Sequence, residues 1–322
     1  MRIVVLAGGV GGAKFLLGVR AAARADGHDV DAIVNVGDDA WVAGLRITPD
    51  LDSIMYALAG VNDLERGWGR AGESERVSAE LAAWGVGWPW FTLGDLDLGA
   101  HIARTSWLRD GVPLGRAARR LAARWDLGVR LLPATDDEAE TWVATDDGEM
   151  HFQEWWTRHR ATLPARAFLT KSPGPVTAGE GVLEAIASAD AVLIAPSNPV
   201  VSIGTILDVP GIRDALSATS ARVVGLSPII GGAVLRGMAD ACLTTIGVET
   251  TADAVARHYG ARRPGDQHGG GLLDGWLVDD TDAALVPALR AEGFDAAAMP
   301  LILRDDESRL AIARAAISLA TS

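Results

Sequence analysis

The sequence contains a single cysteine, Cys242, among its 322 residues. One cysteine excludes an internal disulfide framework and a cluster of thiolate metal ligands. The neighbouring residues Asp240, Ala241 and Leu243 include no basic side chain that would activate the thiol. We therefore expect Cys242 to be a buried structural thiol rather than a reactive group.

The sequence also lacks long apolar runs. No stretch reaches the about 18 uncharged apolar residues that a membrane-spanning helix needs. The apolar run that follows Arg2 has only five residues before it meets glycines, which is too short for the core of a signal peptide. We therefore expect a cytoplasmic protein with no membrane partner.

Positive charge is scarce in this chain. Lysine and arginine number 29 against 42 acidic residues, and the formal net charge is −13. This balance argues against a nucleic-acid partner bound through its phosphates. A small anionic nucleotide could still bind to backbone N–H groups, a few basic residues or a metal. The only two lysines, Lys14 and Lys171, lie in segments flanked by glycine or proline, which weakly indicates a use for a compact ammonium group.

The N-terminal region alternates strand-like and helix-like patterns. Residues 1–7 predict a buried strand, the glycine-rich turn follows, residues 13–25 have helical periodicity, and residues 31–36 predict a second strand. This order predicts a right-handed βαβ crossover. Further strand-like runs lie at 130–134, 140–146, 167–171, 191–197, 222–228 and 275–280. We predict an α/β, Rossmann-like fold with a mostly parallel sheet flanked by helices.

The distribution of tryptophan suggests an insertion in this fold. Ten of the eleven tryptophans lie between Trp41 and Trp156, and residues 51–125 are mostly helical in pattern. No linker rich in proline or serine bounds this region. We therefore predict one α/β domain over residues 1–322, with a Trp-rich helical insertion at about 51–125.

The glycine-rich turn after the first strand is a candidate phosphate site. Gly8, Gly9, Gly11 and Gly12 would let the backbone approach an anion, and Lys14 adds a positive charge beside the N-terminus of the next helix. The spacing matches neither a Walker A loop nor the dinucleotide pattern GxGxxG. The alternative interpretation is a tight strand–helix turn without a ligand.

Acidic residues gather after the second strand. Asp38 and Asp39 follow it directly, and Asp50 and Asp52 lie in the segment TPDLDS. Such a group could hold Mg²⁺, which prefers carboxylate oxygens and substrate phosphates, or orient a hydroxyl nucleophile. Helix capping is the alternative. We expect capping for Asp52, while Asp50 is open to either role.

Two more turns follow strand-like runs. Ser197 and Asn198 lie between two prolines after the run AVLI, where an asparagine could bind a base or ribose through its donor and acceptor. The segment SPIIGG, which contains Gly231, follows the next run. Carboxyl ends of parallel strands share one edge of the sheet, so we expect both turns to line the same crevice as the glycine turn.

The turn LGDLD at 93–97 is followed by His101 and Arg104, at i and i+3 on one helix face. A lone histidine near the start of a helix is usually a solvated or core group, and this is the interpretation we favour for His101. The tryptophans are expected to be mostly core residues. A few, such as Trp41, Trp68, Trp88 and Trp90, are candidates for stacking on a flat heterocycle, and the sequence does not select among them.

Seven of these motifs occur together in a fixed order: GGVGGAK, NVGDD, TPDLDS, LGDLD, HFQEWW, APSNPVVSIG and SPIIGG. With them the chain resembles the 2-phospholactate transferases of deazaflavin coenzyme F-420 biosynthesis, and most closely their actinobacterial branch. The resemblance extends over nearly the whole chain.

The resemblance implies a particular reaction. A three-carbon acid activated with GDP, either phosphoenolpyruvate or 2-phospholactate, would be the donor, and the deazaflavin Fo would be the acceptor. The terminal ribityl hydroxyl of Fo would attack the phosphorus that carries the acid, GMP would leave, and (dehydro) coenzyme F-420-0 would form. The resemblance also implies that Mg²⁺ assists and that the protein is a homodimer.

The resemblance assigns roles to individual residues. Asp50 matches the aspartate that contacts Fo, where it would orient the hydroxyl, hold the metal, or do both. Asp63 matches a second acidic position for the metal, while Ser197 and Asn198 match the turn on the nucleotide side. The sequence departs from the family at Leu96, where many relatives carry a basic residue that contacts Fo. That contact is therefore lost here or supplied elsewhere, by Arg104 or by an aromatic residue.

Two other functions compete with this assignment. A Rossmann-like regulatory protein that binds a nucleotide without turnover would need the glycine turn but not Asp50 together with Asp63. An NAD(P) oxidoreductase is disfavoured because GxGxxG is missing and because Asn35, rather than an acid, ends the second strand.

Overall fold

The computed structural model describes residues 1–263 and 270–322. The strands are β1 Arg2–Ala7, β2 Asp29–Val34, β3 Ala40–Val42, β4 Leu45–Ile47, β5 Arg130–Pro133, β6 Glu140–Thr145, β7 Gly148–His151, β8 Ala165–Lys171, β9 Ala191–Ile194, β10 Arg222–Leu226, β11 Ile229–Ile230, β12 Ala233–Val234, β13 Gly275–Val278 and β14 Asp295–Ala298. The α-helices are α1 Gly9–Asp26, α2 Pro49–Ala59, α3 Arg76–Ala83, α4 Asp95–Arg109, α5 Leu114–Ala122, α6 Val182–Ala187, α7 Ile203–Asp208, α8 Ile212–Ala218, α9 Ala239–Thr245, α10 Ala252–Tyr259, α11 Val286–Ala291 and α12 Asp306–Ala320. A π-helical turn at Glu154–Arg158 and a 3-10 helix at Asp280–Leu285 complete the list.

The central sheet is parallel and buried on both faces. Its seven strands lie in the order β14-β13-β10-β9-β1-β2-β5, and every pairing in it is parallel. In β1, Ile3 and Val5 pack with residues of α1, α2 and α12, while Val4 and Leu6 pack with residues of α6, α7 and α8. Strands covered on both faces of the sheet have continuous apolar sequences, as β1 does. The predicted α/β fold is confirmed.

The topological switch point of the central sheet lies at β1, from which later strands are added on both sides. From β1 the chain builds outward through β2 and β5 on one side, and through β9, β10, β13 and β14 on the other. In open parallel sheets, the crevice beyond the carboxyl ends of the strands at such a switch point is the usual ligand site. The turns that follow β1 and β9 meet at this crevice.

Several short strands were not expected from the sequence, and three further details of the sheets and helices also differ. The runs at 140–146 and 167–171 form β6 and β8 of a separate antiparallel sheet in the order β7-β6-β8, and not part of the central sheet. Burial of β6 alternates along the strand, which is typical of a sheet with only one buried face. The edge strand β14, with the sequence DAAA, was missed because alanine favours helix. Helix α1 begins at Gly9 rather than at residue 13.

The chain between β4 and β5 contains the four helices α2 to α5, and within its residues 51–125 no strand of the central sheet occurs. Helix α3 has no buried residue, and Trp84 at its end is 78% exposed. That residues 1–322 form one domain stays a prediction. Among the described residues, no helix combines the length and the apolar character that crossing a membrane requires.

Candidate active site

The turns after β1 and β9 are joined by one buried hydroxyl. The Ser197 Oγ accepts a hydrogen bond from the Gly8 N–H at 3.1 Å and donates one to the Gly8 carbonyl at 2.7 Å. These bonds join residues 189 positions apart in the sequence. The structure thus brings together two of the predicted segments. Because the hydroxyl is occupied by Gly8, the contact of Ser197 with a ligand stays a prediction.

The glycines of this turn are required by close packing. A Cβ at Gly11 would lie 2.7 Å from the Pro196 carbonyl oxygen, and one at Gly12 would lie 2.9 Å from the Ser197 Oγ. Gly9 has a φ of +61°, in the left-handed region that favours glycine. Only Gly8 precedes α1, so Gly11 and Gly12 lie in the first turn of the helix, whose N–H groups can face an anion.

Asn198 and Gly231 are engaged within the protein. The Asn198 Oδ1 accepts hydrogen bonds from the N–H groups of Val200 and Val201 at 2.9 and 3.2 Å, and its amide donates to the Cys242 sulfur at 3.4 Å. The Gly231 N–H lies in the turn between β11 and β12 and donates to the Asp282 carboxylate at 2.9 Å. Both residues therefore shape the turns, and direct contact with a nucleotide stays a prediction for each.

Lys14 is partly buried among other cations. Burial lowers its pKa first, and the positive charges of Arg236 and Arg309 lower it further. Arg309 belongs to α12, which crosses α1 so closely that a Cβ at Gly18 would lie 2.1 Å from the Arg309 carbonyl oxygen. A local group of cations in a protein with a net charge of −13 favours an anionic ligand there.

The acidic part of the site is organised by Asn35. Its side-chain amide donates to the Asp38 Oδ1 at 3.0 Å and to the Asp50 Oδ2 at 2.9 Å, so the two carboxylates lie side by side. The Gln153 amide donates to the other oxygen of Asp38 at 3.3 Å. Asp50 also accepts a hydrogen bond from the Gly9 backbone. The carboxylate pair is thus in direct contact with the glycine turn.

Burial dominates the electrostatics of this pair. Loss of solvent raises the pKa of Asp50 to about 6, although the hydrogen bonds from Asn35 and Gly9 oppose the rise. The pKa of Asp38 is raised well above its ordinary value by burial and then by the charge of Asp50. Two adjacent carboxylates of this kind are stabilised by a cation or by sharing a proton.

We expect Asp50→Asn to stabilise the ligand-free protein, and the gain to grow between about pH 4 and about pH 7. Folding raises the pKa of Asp50 from 3.8 to about 6, so the native state binds this proton more tightly than the unfolded chain does. Native stability is therefore lost as the pH rises through this interval, by roughly 3 kcal/mol once Asp50 is ionised in both states. Urea unfolding of both proteins in EDTA, at about pH 5 and about pH 8, measures the difference. An equal gain at both pH values would contradict the prediction.

Asp63 is held by its own loop. Its Oδ1 accepts hydrogen bonds from the N–H groups of Glu65 and Arg66, both at 2.9 Å, and its Oδ2 pairs with the Arg66 guanidinium at 3.0 Å. These bonds lower the pKa of Asp63. They give the carboxylate a structural role in the loop, so the geometry favours Asp38 over Asp63 as the partner of Asp50.

Two expectations about nearby residues are wrong. Asp52 does not cap α2, because no side chain caps that helix and the Asp52 carboxylate binds Arg104 instead. Arg104 cannot replace the missing basic residue at position 96, because it is only 1% exposed and is committed to Asp52. Leu96 is 40% exposed, so the position itself remains accessible to a ligand.

Aromatic rings lie beside the acidic group. Trp88 and Trp90 stack on each other with ring centroids 4.9 Å apart, and Trp88 lies 5.4 Å from the His151 ring. The His151 Nε2 is 3.2 Å from the Asp39 carbonyl oxygen. Trp88 and Trp90, two of the four tryptophans named from the sequence, are therefore connected to the segment that carries Asp38, and stacking on a ligand stays a prediction.

Sequence reasoning did not select Asn35 or Gln153. Asn35 was noted at the end of the second strand and beside the acidic residues, but without a role of its own, and its position there lets its amide reach both carboxylates. Gln153 belongs to the motif HFQEWW, which carried the family resemblance without an assigned role. The signal that could have selected Gln153 was its place as a polar residue within a motif of the family resemblance.

The chain resembles known proteins over almost all of its length. Residues 3–300 match the family model described as 2-phospho-L-lactate transferase CofD. A phosphoenolpyruvate transferase from Mycolicibacterium smegmatis is 52% identical over 333 aligned residues, which cover 99% of each chain. Enzymes of the same name from Nocardia farcinica and Streptomyces griseus are also 52% identical and cover 99% of this chain, with 95% and 98% of their own length aligned.

A crystal structure of a UPF0052-family protein from Bacillus halodurans has a TM-score of 0.61 and 19% identity, with 98% of both chains covered. That similarity supports the fold, whereas the sequence comparisons identify the family. The chain belongs to the 2-phospho-L-lactate transferase CofD family.

Proposed function

We propose that this protein transfers a phosphoenolpyruvyl group from a GDP-linked donor to the terminal ribityl hydroxyl of the deazaflavin Fo, with release of GMP. The observation that carries the proposal is that the acidic pair, Asp38 and Asp50, lies against the glycine turn at the switch point of the sheet. A Cβ at Gly8 would lie 2.7 Å from the Asp50 carboxylate. A phosphate bound by the turn would thus lie next to a carboxylate. Relatives that are 52% identical and are named phosphoenolpyruvate transferases favour this donor over 2-phospholactate.

In the proposed reaction the protein positions its substrates and neutralises charge. The Gly9 and Gly12 N–H groups already donate to Asp50 and to the Gly8 carbonyl, which leaves those of Val10 and Gly11 in the first turn of α1. These two N–H groups and the Lys14 ammonium bind the donor phosphates, and Asp50 orients the ribityl hydroxyl. The hydroxyl oxygen forms a bond to the phosphorus that carries the three-carbon acid, and the bond from that phosphorus to the GMP oxygen breaks. The hydroxyl proton passes to Asp50, and GMP leaves with the bonding electrons. Transfer of this kind needs little covalent chemistry from the protein.

The acidic pair fits a magnesium ion. Asp38 and Asp50 offer adjacent carboxylate oxygens whose pKa values are raised by burial, so a bound cation would relieve the unfavourable ionisation of both. We propose that these two residues hold Mg²⁺, with Asp50 retained from the sequence-based assignment and Asp38 in place of Asp63. When bound, the ion would neutralise negative charge on the donor phosphates.

The decisive experiment supplies purified protein with Fo, GDP-linked phosphoenolpyruvate and Mg²⁺. We expect GMP and a new deazaflavin product in equal amounts, detected by chromatography with mass spectrometry, and less product from GDP-linked 2-phospholactate. EDTA should stop the reaction. GDP binding without GMP release would instead support the alternative, a nucleotide-binding regulatory protein without turnover. The homodimer stays a prediction that sedimentation of the purified chain would test.

A further inference from the structure

Asp50 lies on a short turn whose helix has no side-chain cap. Strand β4 ends at Ile47 and α2 begins at Pro49, and no side chain caps the backbone N–H groups at the start of the helix. Asp50 is therefore the second residue of a helix whose first turn is not fixed by the usual cap. Its carboxylate nevertheless keeps specific bonds to Asn35 and Gly9. The Thr48 hydroxyl donates to the Asp52 carboxylate at 3.2 Å, so the side chains that bind Asp52 bear on the position of this turn.

Arg104 on α4 contacts the chain on both sides of Asp50. Its Nη1 donates to the Arg46 backbone carbonyl at 3.2 Å, four residues before Asp50, and its Nη2 donates to the Asp52 carboxylate, two residues after it. The next residue of α4 reinforces the first contact, because the Thr105 hydroxyl accepts a hydrogen bond from the Arg46 N–H at 2.8 Å. A single guanidinium thus brackets the turn that carries Asp50.

A second buried pair, His101 and Asp97, lies next to Arg104. The His101 Nδ1 lies 3.1 Å from the Arg104 Nη1 and can only accept there, which leaves its Nε2 proton facing the Asp97 carboxylate at 3.5 Å. The Tyr56 hydroxyl, on α2, donates to the same Asp97 at 2.7 Å. Helix α4 therefore holds α2 at a second point beyond Asp52.

The ligand-type atoms of Asp52, Asp97 and His101 lie within 4.8 Å of one another, a spacing that could also suit a metal ion. The guanidinium of Arg104 already supplies positive charge to Asp52, and Asp97 already accepts a hydrogen bond from Tyr56. The cluster is consistent with an internal hydrogen-bond network rather than with a cation site.

From these contacts we propose that Arg104 is a positioning residue, whose guanidinium bridges the Arg46 carbonyl and the Asp52 carboxylate and thereby fixes the turn that presents Asp50. The effect on catalysis rests on the proposed function, whereas the effect on the turn does not. Arg104 touches no substrate in this assignment and acts through Asp50. His101 accepts a hydrogen bond from the same Nη1 that donates to the Arg46 carbonyl, and it therefore helps to orient the guanidinium.

Arg104→Lys tests the bridge while keeping the charge that Asp52 requires. A lysine ammonium on a flexible stem lacks the planar fork that serves two acceptors at once. Arg109→Lys is the matched control, because Arg109 lies on the same helix and its Nη2 donates to the Gly44 carbonyl at 3.0 Å but not to Asp52. For Arg104→Lys we expect kcat to fall about 100-fold with KM for the GDP-linked donor changed no more than about threefold. Arg109→Lys should leave both unchanged.

Hydrogen exchange of the same proteins, followed by mass spectrometry, gives a readout that does not depend on activity. We expect Arg104→Lys to lose amide protection in peptides that cover residues 46–52 but not in peptides from α12, and Arg109→Lys to match the native protein. Unchanged protection of 46–52 would overturn the proposal, as would lost protection with an unchanged kcat. If the native protein shows no turnover with the proposed substrates, the proposed function fails, and the exchange result alone still decides whether Arg104 fixes the turn.

Discussion

Asp50→Asn is expected to lower turnover about 1000-fold or more while leaving GDP affinity within about threefold of the native value. The substitution keeps the size of the side chain, and its amide oxygen can still accept the hydrogen bond from Asn35. It removes the negative charge that would orient and deprotonate the attacking hydroxyl and help to hold the metal. Steady-state GMP release and calorimetry of GDP binding measure the two effects separately.

Asp38→Asn and Asp63→Asn form a matched pair that identifies the second carboxylate of the site. Asp38 shares the Asn35 amide with Asp50, whereas Asp63 is bound by Arg66 and by loop amides. Asp38→Asn should therefore raise the Mg²⁺ concentration needed for activity, and Asp63→Asn should not. If Asp63→Asn raised the Mg²⁺ requirement and Asp38→Asn did not, Asp63 would be the metal ligand that the family resemblance implies. GDP affinity lost together with turnover in Asp50→Asn would move Asp50 to the nucleotide side of the crevice.

Much of the fold could be predicted because the central strands have continuous apolar sequences bounded by turns. The runs that became β1, β2, β9 and β10 were all recognised, and their parallel arrangement places the following turns at one edge of the sheet. That rule alone predicted that the turns containing Gly8 and Ser197 would line the same crevice, although 189 residues separate them in sequence. The position of the candidate site follows from topology.

The detailed contacts could not be predicted, because they depend on how α2 and α4 pack. Arg104 reaches Arg46 and Asp52 across 58 and 52 residues, and no local pattern encodes either contact. The choice between Asp38 and Asp63 did leave a local signal. Arg66 lies three residues after Asp63 in a glycine-rich loop, where the Asp63 carboxylate can pair with it and bind the backbone of its own turn. The assignment of Asp63 to the metal rested on the family resemblance and stays a prediction, to which the structure adds Asp38 as the alternative.

The glycine turn gives the other large expected effect, with Gly11→Ala lowering GDP affinity about tenfold or more and destabilising the protein by about 1–3 kcal/mol. The new Cβ would lie 2.7 Å from the Pro196 carbonyl oxygen, and the two prolines around Ser197 and Asn198 leave that backbone little freedom to move. The turns after β1 and β9 would therefore be forced apart at the point where the donor phosphates are proposed to bind. Calorimetry with GDP and urea unfolding provide the measurements.

Gly99→Ala is the control for that substitution, because Gly99 lies within α4 and a Cβ there would meet no atom within 4 Å. Alanine is the better helix former by up to about 1 kcal/mol, so this variant should be slightly more stable and should bind GDP normally. Native GDP affinity in Gly11→Ala, combined with the expected loss of stability, would mean that the first turn of α1 only joins strand to helix. If Gly11→Ala weakens GDP binding and Gly99→Ala does not, the nucleotide binds where the turns after β1 and β9 meet. The control supports this conclusion because it also replaces a glycine with alanine but leaves those two turns in place.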